Sequence, residues 1–206
     1  MKLITIDAQE LKAVRLFAAK EDIRRYLNGV CVQANDTTTR LIATDGSMLG
    51  VFETHFAQPG VDYVDVIIPT FVIDSIKPGS LYGDVVLAVD GDRYELRYAG
   101  TRVTFSPPEG KFPDYPRVFP EKLSGEPAHF DPKLIAVIDK AQKVFGKKVP
   151  IIWHNGTDNA VFQLQGADNF LGVIMPYRMT KPGETLPKPY LPQFRTRLEP
   201  TTAAAA

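Results

Sequence analysis

Several things are scarce in this sequence, and each scarcity closes off a class of function. A single cysteine in 206 residues, Cys31, excludes an intramolecular disulfide and fits a reducing compartment. It sits in the apolar run Gly29-Val30-Cys31-Val32 and reads as a small buried hydrophobe, not a reactive thiol. Only three histidines are present, His55, His129 and His154, and none has metal-ligand spacing to another. There is no P-loop, no Gly-x-Ser-x-Gly and no Gly-x-Gly-x-x-Gly. The Asp90-Gly91-Asp92 and Asp158-Asn159 groups are turn chemistry, not a catalytic carboxylate pair. No catalytic residue, metal site or cofactor is therefore expected. No apolar run approaches the roughly 18 residues of a membrane span, and the N-terminus lacks the apolar stretch of a secretion signal. A cytoplasmic protein with no membrane partner is the expectation. Net charge is absent too, with 24 Lys+Arg against 24 Asp+Glu. A nucleic-acid binder of this composition would have to gather its basic residues on one surface.

What the chain does have is repetition. Strand Leu3–Ile6 leads into a helix spanning Ala8 to Lys20, with Asp7 as its N-cap and Leu11, Val14, Phe17 and Ala18 at helical spacing. Strands follow at Tyr26 to Ala34, Arg40 to Thr44 and Met48 to His55. A second unit opens with strand Val64 to Pro69 and a short helix, Phe71 to Lys77, stopped by Pro78-Gly79. Strands Val85 to Val89, Arg93 to Tyr98 and Arg102 to Phe105 complete it, the first two joined by an Asp90-Gly91 turn. Ser106 to Pro120 is too rich in proline for regular structure and reads as a connector. The third unit runs from strand Ala128-His129-Phe130 through a helix Pro132 to Gly146, capped by Asp131. Its strands are Val149 to Trp153, Ala160 to Gln165 and Gly172 to Met175, with a turn at Asn155-Gly156. Beyond Met179 the composition cannot bury a core, and residues 180–206 read as a Pro-rich flexible tail. The fold class is α+β, built from three β-α-β-β-β units.

Three segments carry a resemblance to a known family. Asp22 to Phe52, DIRRYLNGVCVQANDTTTRLIATDGSMLGVF, is similar to the stretch opening the middle domain of the bacterial DNA polymerase III β sliding clamp, with its RYYLNG and ATDGHRLA strings. Gly110 to Pro120, GKFPDYPRVFP, resembles the GRFPDYRRVLP that leads out of that domain, and Gly172 to Met179, GVIMPYRM, resembles the family's terminal VVMPMRL. The resemblance implies a DNA clamp fold, with helices lining a ring and sheets outside. It assigns residues 1–120 to a complete clamp domain and 121–179 to the second half of a C-terminal domain. Ser47 and Met48 stand where the family string has His and Arg, Asp131 where its helix often has Asn, and Leu134 where it has Tyr.

Two functional surfaces are then implied. A clamp centres duplex DNA with a diffuse positive lining that makes no base readout. Lys133, Lys140, Lys143 and Lys147 fall within about an 80° arc of the third helix at 100° per residue. Lys12, Arg15, Lys20, Arg24 and Arg25, in or just after the first helix, would add to that lining. The second surface is a hydrophobic socket for short peptides of a polymerase and clamp loader. By motif it comprises Leu27, Thr44, Gly46, Leu49 and Pro120 on one wall, and Val173, Ile174, Met175, Pro176, Tyr177, Arg178 and Met179 on the other. Apolar walls, adaptable methionines and one arginine suit such a ligand. The function implied is a polymerase processivity factor without catalysis, sliding on duplex DNA. The alternative is a clamp-like module that binds clamp partners without encircling DNA. Rings in this family contain six domains, hence twelve half-units, so three units per chain point to a homotetramer with two-fold interfaces, the third unit packing on its copy.

Overall fold

The computed structural model describes residues 1–54, 58–76 and 83–177. Two polar-capped helices and eleven short strands follow from the alternation of apolar and turn residues already noted. Strand β1 (Lys2–Asp7) runs into helix α1 (Ala8–Arg15), whose first turn is closed by the Asp7 carboxylate accepting from the Gln9 and Glu10 N–H groups at 2.8 and 3.0 Å. Strands β2 (Gly29–Ala34), β3 (Thr39–Thr44) and β4 (Met48–Thr54) follow. The second unit is β5 (Val64–Pro69), α2 (Thr70–Ser75), β6 (Asp84–Asp90), β7 (Arg93–Tyr98) and β8 (Thr101–Phe105). The third is α3 (Pro132–Val144), β9 (Ile151–Trp153), β10 (Ala160–Gln163) and β11 (Phe170–Ile174).

The first two units exchange their leading strands. β1 pairs antiparallel with β6, giving the four-stranded sheet β1-β6-β7-β8, while β5 pairs with β2. The third unit adds its strands to the first through β11 and β4, forming one sheet of seven, β5-β2-β3-β4-β11-β10-β9. α1 packs against α2 on one side and α3 on the other, so the helices lie side by side over the sheets. Alternate strand residues divide the apolar content. Val30, Val32, Leu41, Ala43, Phe52, Phe162 and Ile174 point into the large helix-side core. Cys31, Ile42, Leu49, Ile67 and Val173 point the other way and are covered by Phe112, Tyr115 and Phe119 of the proline-rich segment. That segment is a strap across the outer face of the seven-stranded sheet, ending in a single 3-10 turn at Tyr115–Val118.

The β4–β11 seam has a particular construction. Gly50 and Gly172 face each other in register, and each lacks a side chain because a phenylalanine ring occupies the space. A Cβ on Gly50 would stand 2.4 Å from the Phe17 ring, and one on Gly172 would stand 2.2 Å from the Phe162 ring. Phe17 and Phe162 meet with centroids 5.6 Å apart, and Phe170 contacts both rings and that of Phe52. Burying these rings stabilises the junction by about 2–3 kcal/mol each. Glu10 on α1 adds a polar tie, accepting from Asn169 at 2.6 Å and from Thr54 at 2.9 Å.

Several boundaries differ from expectation for physical reasons. Helix α1 stops at Arg15, because residues 16–18 tighten into i→i−3 turns and Glu21 takes a positive φ of 54°. Tyr26 and Leu27 lie in a 3-10 turn, not a strand. The expected strand Ala128–Phe130 does not form; the segment is tied instead to the loop after β9, where the Ala128 N–H donates to His154 Nδ1 at 3.0 Å and the Glu126 carbonyl accepts from the Gly156 N–H at 2.9 Å. Helix α3 closes at Val144, with Phe145 as C-cap and Gly146 at φ 113°. The segment joining β9 to β10 is a six-residue loop around the buried Asn155 and not a tight hairpin. The ends placed at His55 and Lys77, and the flexible tail, lie outside the described residues.

Candidate functional site

The outer end of the β4–β11 seam carries a small socket. Between β3 and β4 the turn is knitted by its own side chains: Ser47 and Met48 N–H groups donate to Asp45 Oδ1 at 2.7 and 2.8 Å, and Thr44 Oγ1 donates to the Met48 carbonyl at 2.6 Å. Across the seam the Met175 N–H donates to the Ser47 carbonyl at 2.8 Å, continuing the ladder one residue past β11. Thr44, Gly46, Leu49, Val173 and Met175 thereby share one cavity of about 60 Å³, with Ser47, Met48, Val118 and Asn159. It opens beside a cleft of about 390 Å³ lined by Pro120, Met175 and Pro176 together with Arg117, Lys122 and Asp158. Val118, at 39%, and Met175, at 49%, stand exposed around the mouth, whereas Tyr177, assigned to the same wall, is 62% exposed and lines neither cavity.

Not every residue assigned to this socket lines it. Leu27 and Ile174 are buried in the protein interior and line neither cavity. Arg178 and Met179 lie outside the described residues. Val118 and Asn159 were missed by motif reading. Val118 arrives on the strap and Asn159 on the loop before β10, and the Asn159 side-chain amide donates to the Val118 carbonyl at 3.1 Å. The apolar residues of the proline-rich run were the available clue.

Arg24, assigned to a DNA lining, has a different setting. Its guanidinium is fixed by Asp22 at 2.9 and 3.0 Å and lies 3.5 Å from the point where a side chain on Gly46 would begin. That places it over the socket's turn. The Arg24 hydrogen bonds hold the Asp22 carboxyl down at about 2. Arg24 and Arg25 both line a wide open cleft with Tyr26, Phe71 and the strap residues Pro107–Gly110, away from α3.

On the helix side, Lys133 and Lys140 are exposed along α3, opposite its buried Ile138, Ala141 and Gln142. Lys143 shares that face but is paired with Asp139 at 2.6 Å. Lys147 lies beyond the helix C-cap, in the loop before β9, and so is not on the helical stripe. On α1, Lys12 is exposed, whereas Arg15 grips Asp74 of α2 through two bonds of 2.7 and 2.5 Å. Lys20 is exposed in the turn after α1, not on the helix. Among the described residues, Lys12, Lys20, Lys133 and Lys140 make no ion pair, and no group of three or more His, Cys, Asp or Glu converges as a metal site.

A sheet extended across a unit boundary, helices on one face and a socket at the boundary define the sliding-clamp class of architecture. The family model for the DNA polymerase III beta subunit, central domain, matches residues 7–114, just over half of the chain, and the chain belongs to that family. The beta sliding clamp of Pseudomonas aeruginosa is 33% identical over 104 residues, covering 50% of this chain and 28% of that protein. The Caulobacter vibrioides clamp is 30% identical over 127 residues, 57% of this chain and 34% of its own. The chain thus spans about a third of the length of the curated relatives it matches. The solved DNA polymerase III beta subunit of Thermotoga maritima superposes with a TM-score of 0.69 at 16% identity, covering 87% of this chain and 66% of that one. A Pseudomonas aeruginosa sliding-clamp structure gives 0.67 at 19% identity, with 86% and 67% covered. The α+β clamp fold is common to all of them.

Proposed function

We propose that this chain is a processivity clamp subunit that encircles duplex DNA and tethers a polymerase and a clamp loader by short peptides. Residues 1–120 act as a complete clamp domain and 121–179 as a half domain. The observation that carries the reading is the opposition of two surfaces across one sheet. Exposed Lys133 and Lys140 lie on the helix side, while the socket of Thr44, Leu49, Val173 and Met175 opens on the strap side. A protein that must hold a backbone polyanion loosely and a partner firmly needs these two kinds of chemistry kept apart. Self-association into a ring of four chains completes the reading.

The second reading is a module that binds clamp partners without surrounding DNA. The ion pairs that occupy Arg15, Arg24 and Lys143 favour it, because they thin the positive lining. Charge reversal at Lys133 and Lys140 separates the two. The clamp reading expects DNA association to weaken with peptide binding intact, whereas the module reading expects neither to change.

A further inference from the structure

We infer that the third unit is completed by a second copy of itself, through reciprocal exchange of the segment Glu126–Phe130 onto the outer edge of β9. This names the surface for the self-association proposed above, and its test reads that surface directly, independently of any ring.

The rule for completing a unit is displayed twice within the chain. The strand leading into α1 does not pair with the strand that follows α1. It crosses to β6, the first strand after α2, over the register Lys2↔Val89 to Asp7↔Asp84. The strand leading into α2 makes the reciprocal move onto β2, from Gly29↔Pro69 to Ala34↔Val64. In each exchange, the residue capping the helix faces the first residue of the receiving strand. The two halves satisfy each other, and neither leaves a leading strand or a receiving edge open.

The third unit has both features, and neither is paired with a strand. The leading segment is held at the loop beyond β9, by the Ala128 N–H donating to His154 Nδ1 at 3.0 Å, the Gly156 N–H donating to the Glu126 carbonyl at 2.9 Å and Phe130 meeting the His154 ring at 5.4 Å, contacts that the exchange gives up. Among the described residues β9 ends the seven-stranded sheet, so nothing pairs with its outer edge. Ile151 and Trp153 on that strand are each 40% exposed, and Val149 just before it is 74% exposed. An open edge carrying Ile and Trp, without a charged side chain within β9, lacks the features that keep edges from pairing. The leading segment meanwhile shares one anchor with β1, a carbonyl held two residues before the helix cap. In unit one the Thr5 carbonyl, two residues before the cap, accepts from the Gln58 side chain at 2.9 Å, just after β4. In unit three the His129 carbonyl, also two residues before the cap, accepts from the Tyr177 N–H, just after β11. Phe130 takes the place of Ile6 before the cap, yet it is only partly buried where Ile6 is 2% exposed.

A second copy is the occupant because the surface is self-complementary. Each third unit offers one leading segment and one receiving edge. A two-fold axis between α3 and its copy satisfies both pairs at once, by the same register logic, setting Phe130 beside Ile152 of the second copy. A partner of another kind would have to present both features in the same spacing.

Hydrogen exchange of the full chain, followed with rising protein concentration, tests this together with light scattering. Amides of residues 127–130 and 151–153 are expected to slow in concert, by on the order of tenfold, between about 0.1 and about 50 µM, as the mass at least doubles. Amides of β2 and β5, already exchanged within the chain, serve as the unchanging reference. Exchange at both segments that is independent of concentration, or slowing of only one of them, overturns the proposal, as does a mass that stays at 22.9 kDa. If the two segments respond but closed circular DNA is not retained, the ring reading fails and this one stands. If circular DNA is retained with both segments unresponsive, the reverse holds.

Discussion

Gly50 and Gly172 lie opposite one another at the seam because two phenylalanines need the backbone bare. Placing a methyl group on Gly172 puts it 2.2–2.6 Å from three atoms of the Phe162 ring, and neither the strand nor the packed ring can yield cheaply. Gly172→Ala is expected to destabilise the protein by about 1–3 kcal/mol in urea unfolding, and Phe162→Leu in the same chain to recover some of that loss by making room. Unchanged stability in the single variant would contradict the packing. Met175 tests the socket at the same scale. It is half exposed, lines both cavities, and is tied to the turn by its backbone N–H donating to the Ser47 carbonyl. Met175→Ala should cost about 1–2 kcal/mol of affinity for a polymerase-derived clamp peptide in calorimetry, with little effect on folding. Undiminished affinity would remove Met175 from the site. Asp22 makes a prediction with pH. Arg24 holds its carboxyl near 2 where the ordinary value is 3.8, so the folded chain binds that proton less readily than the unfolded one. The contribution of the pair is present above about pH 4 and fades as the pH falls toward 2. An NMR titration of the Asp22 carboxyl should show its midpoint near 2, and a midpoint near 4 would mean that Arg24 has let go.

At the scale of elements, α3 carries exposed lysines of the proposed DNA lining. Lys133→Glu with Lys140→Glu should weaken DNA association and lower its salt slope by about one for each phosphate no longer neutralised. Lys143→Ala should do less, since Asp139 already neutralises that charge. Fluorescence titration at several salt concentrations measures both, and equal effects would place the DNA elsewhere. Helix α3 was also the most legible element, because its signals are local: Asp131 caps it, Pro132 opens it and Ile138 and Ala141 recur at helical spacing. The hairpin signalled at Asp90-Gly91, which the structure turns one residue later at Gly91-Asp92, and most individual strands of the two sheets were legible for the same reason. The exchange of leading strands was not, because Ile4 and Ile68 show the same local pattern whichever edge receives them. Ala128–Phe130 reads as a strand and is not one, since a strand requires a partner that local sequence does not record. The strap was half legible. Its prolines announced irregular backbone, but only Phe112, Tyr115 and Phe119 hinted that the segment would cover a sheet face and wall the socket.

Across the whole molecule, the seam fixes what the chain can be. One sheet of seven strands and a shared aromatic core join the third unit to the first, so the socket has both walls within one chain and does not wait on assembly. The helix row is different, since three helices make only an arc, and enclosing a duplex requires further copies. Light scattering on the assembled protein is expected to give four times the 22.9 kDa chain. A trimer would be inconsistent with two-fold interfaces. The most direct measurement is retention on DNA of different topology after assembly. A ring that encircles the duplex stays on closed circular DNA and is lost when one restriction cut supplies free ends. The account predicts that difference, and equal loss from circular and linear DNA would contradict it.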